Sequence, residues 1–225
     1  MTEPPTKKSK NSETATRGNR AEDLICSQPN VKAAFETYFG KSVTAILKVP
    51  GRKKSDNELV FTDGSRIMIQ NKNGDNARGF SVDRRDVCDL TSDVNCQNLI
   101  SRLCLKKELG LVPASAVNKE ESERIITVAL LGSENDFKPL YFCHTIIKDD
   151  VITNLSICPT ASFIDYMKKE IYPTMVPKKT CVHLSPSFYL QRKGGGKTDA
   201  KPDHIQTKWK QGKTVSTLFS HLFTS

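Results

Sequence analysis

Two short apolar runs stand close together in the first third of the chain. Leu59 to Phe61 and Ile67 to Ile69 flank the pair Asp63-Gly64, which is the composition expected where one strand turns back beside another. Polar residues border both runs on their outer sides. The pattern predicts a β-hairpin that extends from Lys54 to Lys72.

The turn of this hairpin decides which residues face each other. A two-residue loop would set Asn57 opposite Gln70. A three-residue turn that ends with Gly64 in the left-handed conformation, or a β-bulge, would set Asp56 opposite Gln70 instead. Because side chains alternate between faces along a strand, Gln70 and Lys72 share a face. With the longer turn, a carboxylate, an amide oxygen and an ammonium group are predicted to meet at the open end of the hairpin.

The rest of the chain mixes helical and strand patterns. Residues 18–39 predict two consecutive helices, and the second one opens at Pro29. Residues 125–131 fit either the end of a helix or a buried strand. The remaining predicted elements are helices at 95–109 and 161–171 and strands at 43–49, 140–147, 151–158, 181–191 and 204–209. This mixture predicts a mixed α/β (α+β) protein.

The length of 225 residues suits one domain with a substantial core, or one domain plus a tail. Residues 1–17 contain almost nothing apolar, so burial cannot compensate for the entropy lost when they become ordered. We therefore expect a flexible basic arm over residues 1–17 and a single domain over residues 18–225. The lysines between Lys7 and Lys10 fit solubilising charge, a nuclear address or an arm that contacts phosphate.

The cysteines indicate the compartment in which the protein works. The seven cysteines are spread along the chain without a Cys-x-x-Cys pair. An odd number without close pairs favours free thiols in a reducing compartment and disfavours a structural zinc cluster. We expect a cytoplasmic protein, with a nuclear location as the alternative. Because residues 125–131, the longest nearly apolar run, are too short to cross a bilayer and no secretory signal is visible, we expect no membrane association.

The net charge of +9 favours a polyanionic partner, with nucleic acid as the leading candidate and a basic protein without such a partner as the alternative. Cations follow the hairpin, and between Pro186 and Lys213 seven Lys or Arg accompany two Asp. Arginine and glutamine can read base edges, and lysine can contact phosphate. For the arginines after the hairpin, ion pairs with nearby aspartates are the alternative. The candidate DNA-binding residues are Arg78, Arg84, Arg85, Gln191, Arg192, Lys193, Lys197, Gln206 and Lys208.

The hairpin residues resemble a known signature. Ser55-Asp56 followed by Gln70-Asn71-Lys72 is similar to the SD…QxK variant of the PD-(D/E)xK nucleases, which occurs in a subset of type II restriction endonucleases. The resemblance continues in residues 18–22, 78–85, 183–196 and 204–208. It implies a restriction-endonuclease-like core, in which helices flank a central mixed β-sheet.

For function, the resemblance implies a Mg²⁺-dependent endonuclease that cuts double-stranded DNA at a short, GC-containing palindrome. Asp56, Gln70 and Glu22 of the leading helix would bind the metal. Lys72 would orient or deprotonate the attacking water. The products would carry 5′-phosphate and 3′-hydroxyl groups. The sequence leaves both a monomer and a homodimer open.

Gln70 stands where the commoner signature has a glutamate, which removes one negative charge from the implied metal site. The change fits an active Q-x-K enzyme, a degenerate site that only binds DNA, or an inactivated variant, and either Glu22 or Glu58 could supply the missing charge. A structure-selective repair or junction nuclease with the same core is a further alternative. The purely structural role for Glu22 is an interaction with a helix N-terminus, worth up to ~1 kcal/mol.

Overall fold

The computed structural model of the chain describes residues 10–50, 53–74, 79–132, 138–192, 204–210 and 214–224, with the backbone alone for residues 10–18, Ala116 and Thr224. The helices are α1 (Lys10–Ser27), α2 (Pro29–Phe39), α3 (Val87–Leu90), α4 (Val94–Leu105), α5 (Lys119–Leu131), α6 (Thr160–Lys169) and α7 (Thr214–Leu218), with a 3₁₀ helix at Ala114–Ala116. The strands are β1 (Val43–Lys48), β2 (Asn57–Phe61), β3 (Arg66–Asn73), β4 (Phe80–Asp86), β5 (Tyr141–Lys148), β6 (Val151–Pro159), β7 (Val176–Lys178), β8 (Cys181–His183), β9 (Phe188–Arg192), β10 (His204–Trp209) and β11 (Ser220–Thr224). None of the described helices is long and apolar enough to cross a membrane.

The chain forms two compact units. The first unit takes residues 1–74, 141–157 and 220–225, and the second takes residues 75–140 and 158–219. Because the chain passes from one unit to the other several times, no linker in the sequence marks their border. The single domain expected over residues 18–225 stays a prediction, since units built from alternating stretches can fold together.

The first unit is built on a six-stranded sheet with the order β1-β2-β3-β5-β6-β11. Strands β3 and β5 run parallel, whereas β1–β2, β2–β3 and β6–β11 are antiparallel, so the sheet is mixed. Helices α1 and α2 pack on it, and their buried apolar side chains join those of the strands in one core. Members of this core include Ile25, Val31, Phe35, Leu59 and Ile69. The predicted fold class, a mixed sheet flanked by helices, is confirmed.

The second unit contains a five-stranded antiparallel sheet with the order β4-β10-β9-β8-β7. Trp209 is fully buried on one face of this sheet. Its ring lies 4.8 Å from that of Phe163 and 5.5 Å from that of Phe80, measured between centroids, and it stacks on Phe219. This aromatic core fixes which face of β10 is covered and which is left for polar side chains.

Helix boundaries differ from the sequence-based expectation at two places. Helix α1 begins at Lys10, so residues 10–17, which were expected in the flexible arm, are helical. Glu22 therefore does not lie in the first helical turn, and its predicted interaction with a helix N-terminus is wrong. Helix α4 ends at Leu105 instead of reaching Gly110, and the next residue, Lys106, takes the left-handed conformation (φ 58°).

Helix α5 settles the ambiguous segment at residues 125–131. Asn118 caps the helix, because its side chain accepts the N–H of Glu121 at 2.9 Å. The helix then continues without a break to Leu131. Its buried residues include Ile125, Ile126 and Leu130, which follow the helical period.

Candidate functional site

The turn of the β2–β3 hairpin has three residues, 62–64. Gly64 donates its N–H to the carbonyl of Phe61 at 3.0 Å. Its φ of 80° lies in the left-handed region that favours glycine. The strand pairing that follows sets Asn57 opposite Ile69. Of the two turns that the sequence left open, the structure therefore has the longer one, which the functional interpretation of the hairpin requires.

Asp56 lies one residue before β2, where the strand pairing becomes irregular. Its N–H donates to the carbonyl of Ile69 at 2.8 Å, although Ile69 is paired with Asn57. This irregularity, of the kind that a β-bulge produces, replaces the predicted regular pair of Asp56 and Gln70. The carboxylate instead reaches β3 directly, because Asp56 Oδ2 accepts the N–H of Asn71 at 2.8 Å. Asp56 is thus held next to Gln70 through the backbone of residue 71.

Glu22 approaches the same place from helix α1. Asn57, the first residue of β2, donates its side-chain amide to the carbonyl of Glu22 at 3.3 Å and to Cys26 Sγ at 3.2 Å. These two bonds tie the helix to the hairpin. Burial and then the nearby negative charge of Asp56 raise the pKa of Glu22. The two carboxylates are therefore close enough to repel each other.

Lys48, the last residue of β1, contacts Glu22 and the following residue, Asp23. Its ammonium Nζ lies 3.2 Å from Glu22 Oε2 and 3.0 Å from Asp23 Oδ1. The contact opposes the effect of burial on the pKa of Glu22. Glu22, Lys48 and Asp56 line a cavity of about 400 Å³ together with Asn19 and Ser55. The acids thus border an open space that can admit a ligand.

Glu58, the other candidate for the additional acid, is engaged elsewhere. Its Oε1 lies 3.0 Å from the Arg66 guanidinium across the hairpin. Glu58 is the neighbour of Asn57 along β2, so the two side chains point to opposite faces of the sheet. Among the two acids that the sequence left open, the structure places Glu22 beside Asp56.

Gln70 carries the most informative atom of the site. The side chain is 5% exposed, and its carbonyl oxygen Oε1 has no hydrogen-bond partner among the described residues. Leaving a buried acceptor unsatisfied costs roughly 1–3 kcal/mol, so such atoms usually have an unseen water or ion as partner. An amide oxygen is a hard ligand of the type that Mg²⁺ and Ca²⁺ prefer. The residues present therefore fit a divalent cation.

The described part of the chain contains no group of three or more His, Cys, Asp and Glu that could hold a metal ion. A cation at the hairpin would therefore depend on an amide ligand as well as carboxylates. Gln70, Asp56 and Glu22 supply this combination.

Lys72 lies two residues after Gln70 on the same face of β3. The parallel pairing of β3 with β5 sets His144 beside Lys72. His144 is buried and its Nε2 hydrogen-bonds the carbonyl of Gly74 at 3.0 Å. The N–H of Gly74 donates in turn to Thr145 at 2.8 Å. These two bonds fix the end of β3 just beyond Lys72.

Sequence reasoning missed His144. Its only local signal is a histidine within a short apolar run, which is more often a core residue than a functional one. Its position depends on the pairing of β3 with β5, two strands that are separated by the whole of the 75–140 segment.

A second group of predicted residues lies on one face of the five-stranded sheet. Gln206 on β10 is paired with Arg84 on β4 and with Gln191 on β9, so all three side chains share a face. Lys208 follows two residues after Gln206 on that face. We call these four residues, Arg84, Gln191, Gln206 and Lys208, the basic face. Gln191 Nε2 donates to Gln206 Oε1 at 3.1 Å, which joins the two amides.

The cations of the basic face lie close to one another. Burial and then the positive charge of Arg84 lower the pKa of Lys208. Neither residue forms an ion pair with an acid in the described ranges. Two neighbouring cations without an acid are stabilised by a bound anion, which is the electrostatic pattern expected of a nucleic-acid surface.

Arg85 and Arg192, two of the other predicted DNA-binding residues, lie apart from this face. Arg85 forms an ion pair with Asp83, and both side chains are largely buried. For Arg85 the structure therefore favours the structural ion pair over a contact with DNA. Arg192 follows Gln191 on β9 and therefore points to the opposite side of the sheet. Arg78, Lys193 and Lys197 lie outside the described residues.

No protein-family model matches the chain, and no curated protein sequence matches it either. Among solved structures, the chain is similar to restriction endonuclease MspI in complex with its cognate DNA. The TM-score is 0.50 at 12% sequence identity, and the match covers 88% of this chain and 87% of that one. A likeness at this identity shows the fold alone. The chain accordingly has a restriction-endonuclease-like fold.

Proposed function

We propose that the protein is a type II restriction endonuclease of the SD…QxK kind, which hydrolyses double-stranded DNA at a short, GC-containing palindrome with Mg²⁺ as cofactor. The observation that carries the proposal is the open end of the hairpin. There the Asp56 carboxylate is fixed to the backbone N–H of Asn71, the residue after Gln70, and the side-chain oxygen of Gln70 is buried without a partner among the described residues. Glu22 lies beside the same carboxylate.

Asp56, Gln70 and Glu22 would hold the metal. When bound, Mg²⁺ lowers the pKa of a water molecule and stabilises negative charge on the phosphate oxygens. The hydrogen bond from Asn71 orients the Asp56 carboxylate before substrate arrives. Lys48 partly offsets the effect of burial on the pKa of Glu22, which favours the carboxylate form that binds a metal.

Lys72 has the chemistry needed to handle the nucleophile. Its amine orients the attacking water or accepts its proton, while the water oxygen approaches phosphorus in line with the leaving group. A new O–P bond forms and the bond from phosphorus to the 3′-oxygen breaks. The products then carry 5′-phosphate and 3′-hydroxyl groups. The two hydrogen bonds that join Gly74 to β5 support this role, because they fix the end of the strand that carries Lys72.

The basic face supplies the DNA-binding part of the proposal. Arg84 and Lys208 can contact phosphates or the edge of guanine, and the joined amides of Gln191 and Gln206 can present a donor and an acceptor to a base pair. The solved neighbour was determined with DNA, which agrees with a DNA partner. The palindrome itself rests on the resemblance of the hairpin signature. A monomer that nicks each strand in turn and a homodimer both fit the proposal.

The proposed location is a reducing compartment, the cytoplasm, with the nucleus as the alternative. The seven cysteines are all described and all free, and burial raises the pKa of Cys96, Cys104 and Cys158 to about 12. Such buried thiols remain protonated and act as small apolar core residues.

The test is to incubate duplex DNA and Mg²⁺ with the wild-type protein and with the Asp56→Ala and Lys72→Ala variants, and to sequence the ends of any fragments. We expect discrete fragments from the wild type and none from the variants. Cutting that persists in both variants would remove these residues from catalysis. Cutting of branched DNA without regard to sequence would favour a junction nuclease, and binding without cutting would favour a degenerate DNA-binding protein.

A further inference from the structure

Two lysines converge on a stacked aromatic pair at the β7–β8 side of the second sheet. His183 and Tyr189 are paired across β8 and β9, and their rings stack with centroids 5.1 Å apart at an interplanar angle of 15°. Lys210 Nζ lies 5.4 Å from the centroid of the Tyr189 ring. Lys178, on the edge strand β7, is exposed and is paired with Cys181, which shares a face with His183 two residues further along β8.

This group lies on the same side of the sheet as the basic face. Tyr189 precedes Gln191 by two residues on β9, and Lys210 follows Lys208 by two residues. Lys210 still continues the strand pairing, because its N–H donates to Ser187 at 2.7 Å. Side chains two residues apart along a strand share a face. The positive surface therefore continues from Lys208 towards the edge of the sheet.

Among the residues that the structure describes, no ion pair with an acid balances the charge of this group. Neither Lys178 nor Lys210 forms an ion pair with a carboxylate in the described part of the chain. Burial, then Lys178 and then Lys210 lower the pKa of His183, and the opposing influence is a hydrogen bond with the backbone of Ser185. Burial and two nearby ammonium groups thus disfavour the charged imidazole, and an added negative charge would relieve the unfavourable interaction between the cations.

We propose that Lys178 and Lys210 form a phosphate-binding site, with the His183–Tyr189 stack as its rigid floor, that takes one phosphodiester group of the DNA backbone. This inference rests on the proposed function, because it names a further contact of the same substrate. The contact with the Tyr189 ring already restrains Lys210 in the free protein. The side chain of Lys210 therefore loses less conformational entropy when its ammonium group binds phosphate.

A phosphate contact at this position would help to set the position of the protein along the DNA. Contacts to the backbone set the position of a protein along DNA, whereas base contacts select the sequence. Tyr189 and Gln191 are neighbours on one face of a rigid strand. A phosphate fixed above Tyr189 therefore restricts which base pair the amides of Gln191 and Gln206 can reach.

The test measures binding of the full-length protein to a fluorescent DNA duplex by anisotropy over a series of NaCl concentrations, with EDTA present so that no cleavage occurs. The variants are Lys178→Met, Lys210→Met and the double variant. Lys169→Met, an exposed lysine on α6 of the same unit, is the matched control. Methionine keeps most of the side-chain length and removes only the charge.

Each site variant is expected to lower the slope of log K against log[NaCl] by about 0.9, the value for one lost phosphate contact on B-DNA, and to weaken binding roughly fivefold at 0.1 M salt. Lys169→Met should leave the slope unchanged. Wild-type slopes in both site variants would overturn the proposal even if the wild type binds and cuts DNA. If the wild type does not bind DNA, the proposed function itself fails.

NMR of the His183 ring provides a second readout that does not depend on folding of the lysine variants. Duplex DNA should shift the His183 resonances of the wild type and raise the pKa of His183, while inorganic phosphate at the same phosphate concentration should shift them far less. Equal shifts with both anions, together with unchanged salt slopes, would indicate a free-phosphate site and would overturn the assignment to DNA.

Discussion

The open end of the β2–β3 hairpin and the basic face of the second sheet have opposite electrostatic imbalances. At the hairpin, two carboxylates lie close together, and Gln70 on the neighbouring strand has a buried oxygen without a partner among the described residues. On the basic face, two cations lie close together and no described acid pairs with them. Each arrangement is electrostatically unfavourable in the free protein. Each therefore favours binding of a ligand with the opposite charge. The difference teaches that one region is suited to a cation and the other to a polyanion.

The comparison is tested most strongly at Gln70. Replacing it with leucine removes the unsatisfied oxygen while keeping a similar shape. We expect Gln70→Leu to reduce the single-turnover cleavage rate by about 100-fold or more, because a metal ligand is lost. The same change should raise the free energy of unfolding by about 1 kcal/mol, because a buried acceptor without a partner disappears.

The rate is measured with excess enzyme over DNA, and the unfolding free energy by urea denaturation. Met68→Leu is the control, since Met68 shares the strand and face of Gln70 and the change preserves volume. It should leave the cleavage rate nearly unchanged. If Gln70→Leu retains the wild-type rate and loses stability, the oxygen has a structural partner and the metal assignment at Gln70 is wrong.

The second test introduces a side chain where the backbone before β4 closely approaches the backbone at the end of β10. Gly79 has a φ of 83°, and a Cβ built there would lie 2.7 Å from the carbonyl oxygen of Trp209 and 3.3 Å from the backbone nitrogen of Lys210. Because the contact is with backbone, the neighbour cannot turn away. We expect Gly79→Ala to lower the free energy of unfolding by about 2 kcal/mol or more.

Gly110→Ala is the matched control for this measurement. A Cβ at Gly110 meets nothing within 4 Å, so the change should stay within about 0.5 kcal/mol. Denaturant unfolding of both variants gives the comparison. Equal stability of the two variants would show that β4 does not require this close approach to β10.

The third test removes one cation of the basic face, just as Gln70→Leu removes one oxygen at the hairpin. Lys208→Met removes a half-buried cation that lies near Arg84. DNA affinity should fall roughly fivefold at 0.1 M salt, as for the loss of one phosphate contact, while the free energy of unfolding should stay level or rise by a few tenths of a kcal/mol because the repulsion from Arg84 is relieved. Anisotropy and urea unfolding measure the two effects. A large loss of stability would mean that Lys208 is a structural residue.

The smallest expected effect is a dependence of DNA binding on pH. His183 is surrounded by Lys178, Lys210, the Tyr189 ring and the backbone of Ser185, and its pKa lies below the usual 6.5 in the free protein. A nearby DNA phosphate raises this pKa, so binding takes up protons and affinity rises as pH falls through the pKa of the complex. A rise of about half a pKa unit corresponds to about threefold tighter binding.

Binding titrations between pH 8 and pH 5 at constant ionic strength measure this effect. His183→Gln should bind with a flatter pH dependence. An unchanged pH profile in this variant would remove His183 from the DNA contact.

The two regions also differ in how well the sequence predicts them. The hairpin is local: the apolar runs on either side of Asp63-Gly64 predict it, although the sequence left two turn lengths open and the structure has the longer one. The irregular position of Asp56 was not predictable, because the hydrogen bond from its N–H to the carbonyl of Ile69 departs from the regular pairing of the two strands. Glu22 was assigned correctly to the first helix but to the wrong turn, since the polar residues from Lys10 onwards gave no sign of helix.

The basic face depends on contacts between distant segments. Strand β10 lies between β4 and β9, and only this arrangement sets Arg84 beside Gln206 and turns Arg85 towards Asp83. The sequence identifies the residue types and their excess of charge. It does not identify the strand order, so it cannot separate Arg84 from Arg85 or place Lys210 above Tyr189.

The hydrogen bond between Asp56 and residue 71 has a consequence for sequence variation. The donor is a main-chain N–H, which every amino acid except proline provides at that position. The side chain at 71 is therefore free to change, as far as the aspartate is concerned, while proline there would release the carboxylate. Lengthening the acid to glutamate would move its oxygens away from this donor even though the charge is kept.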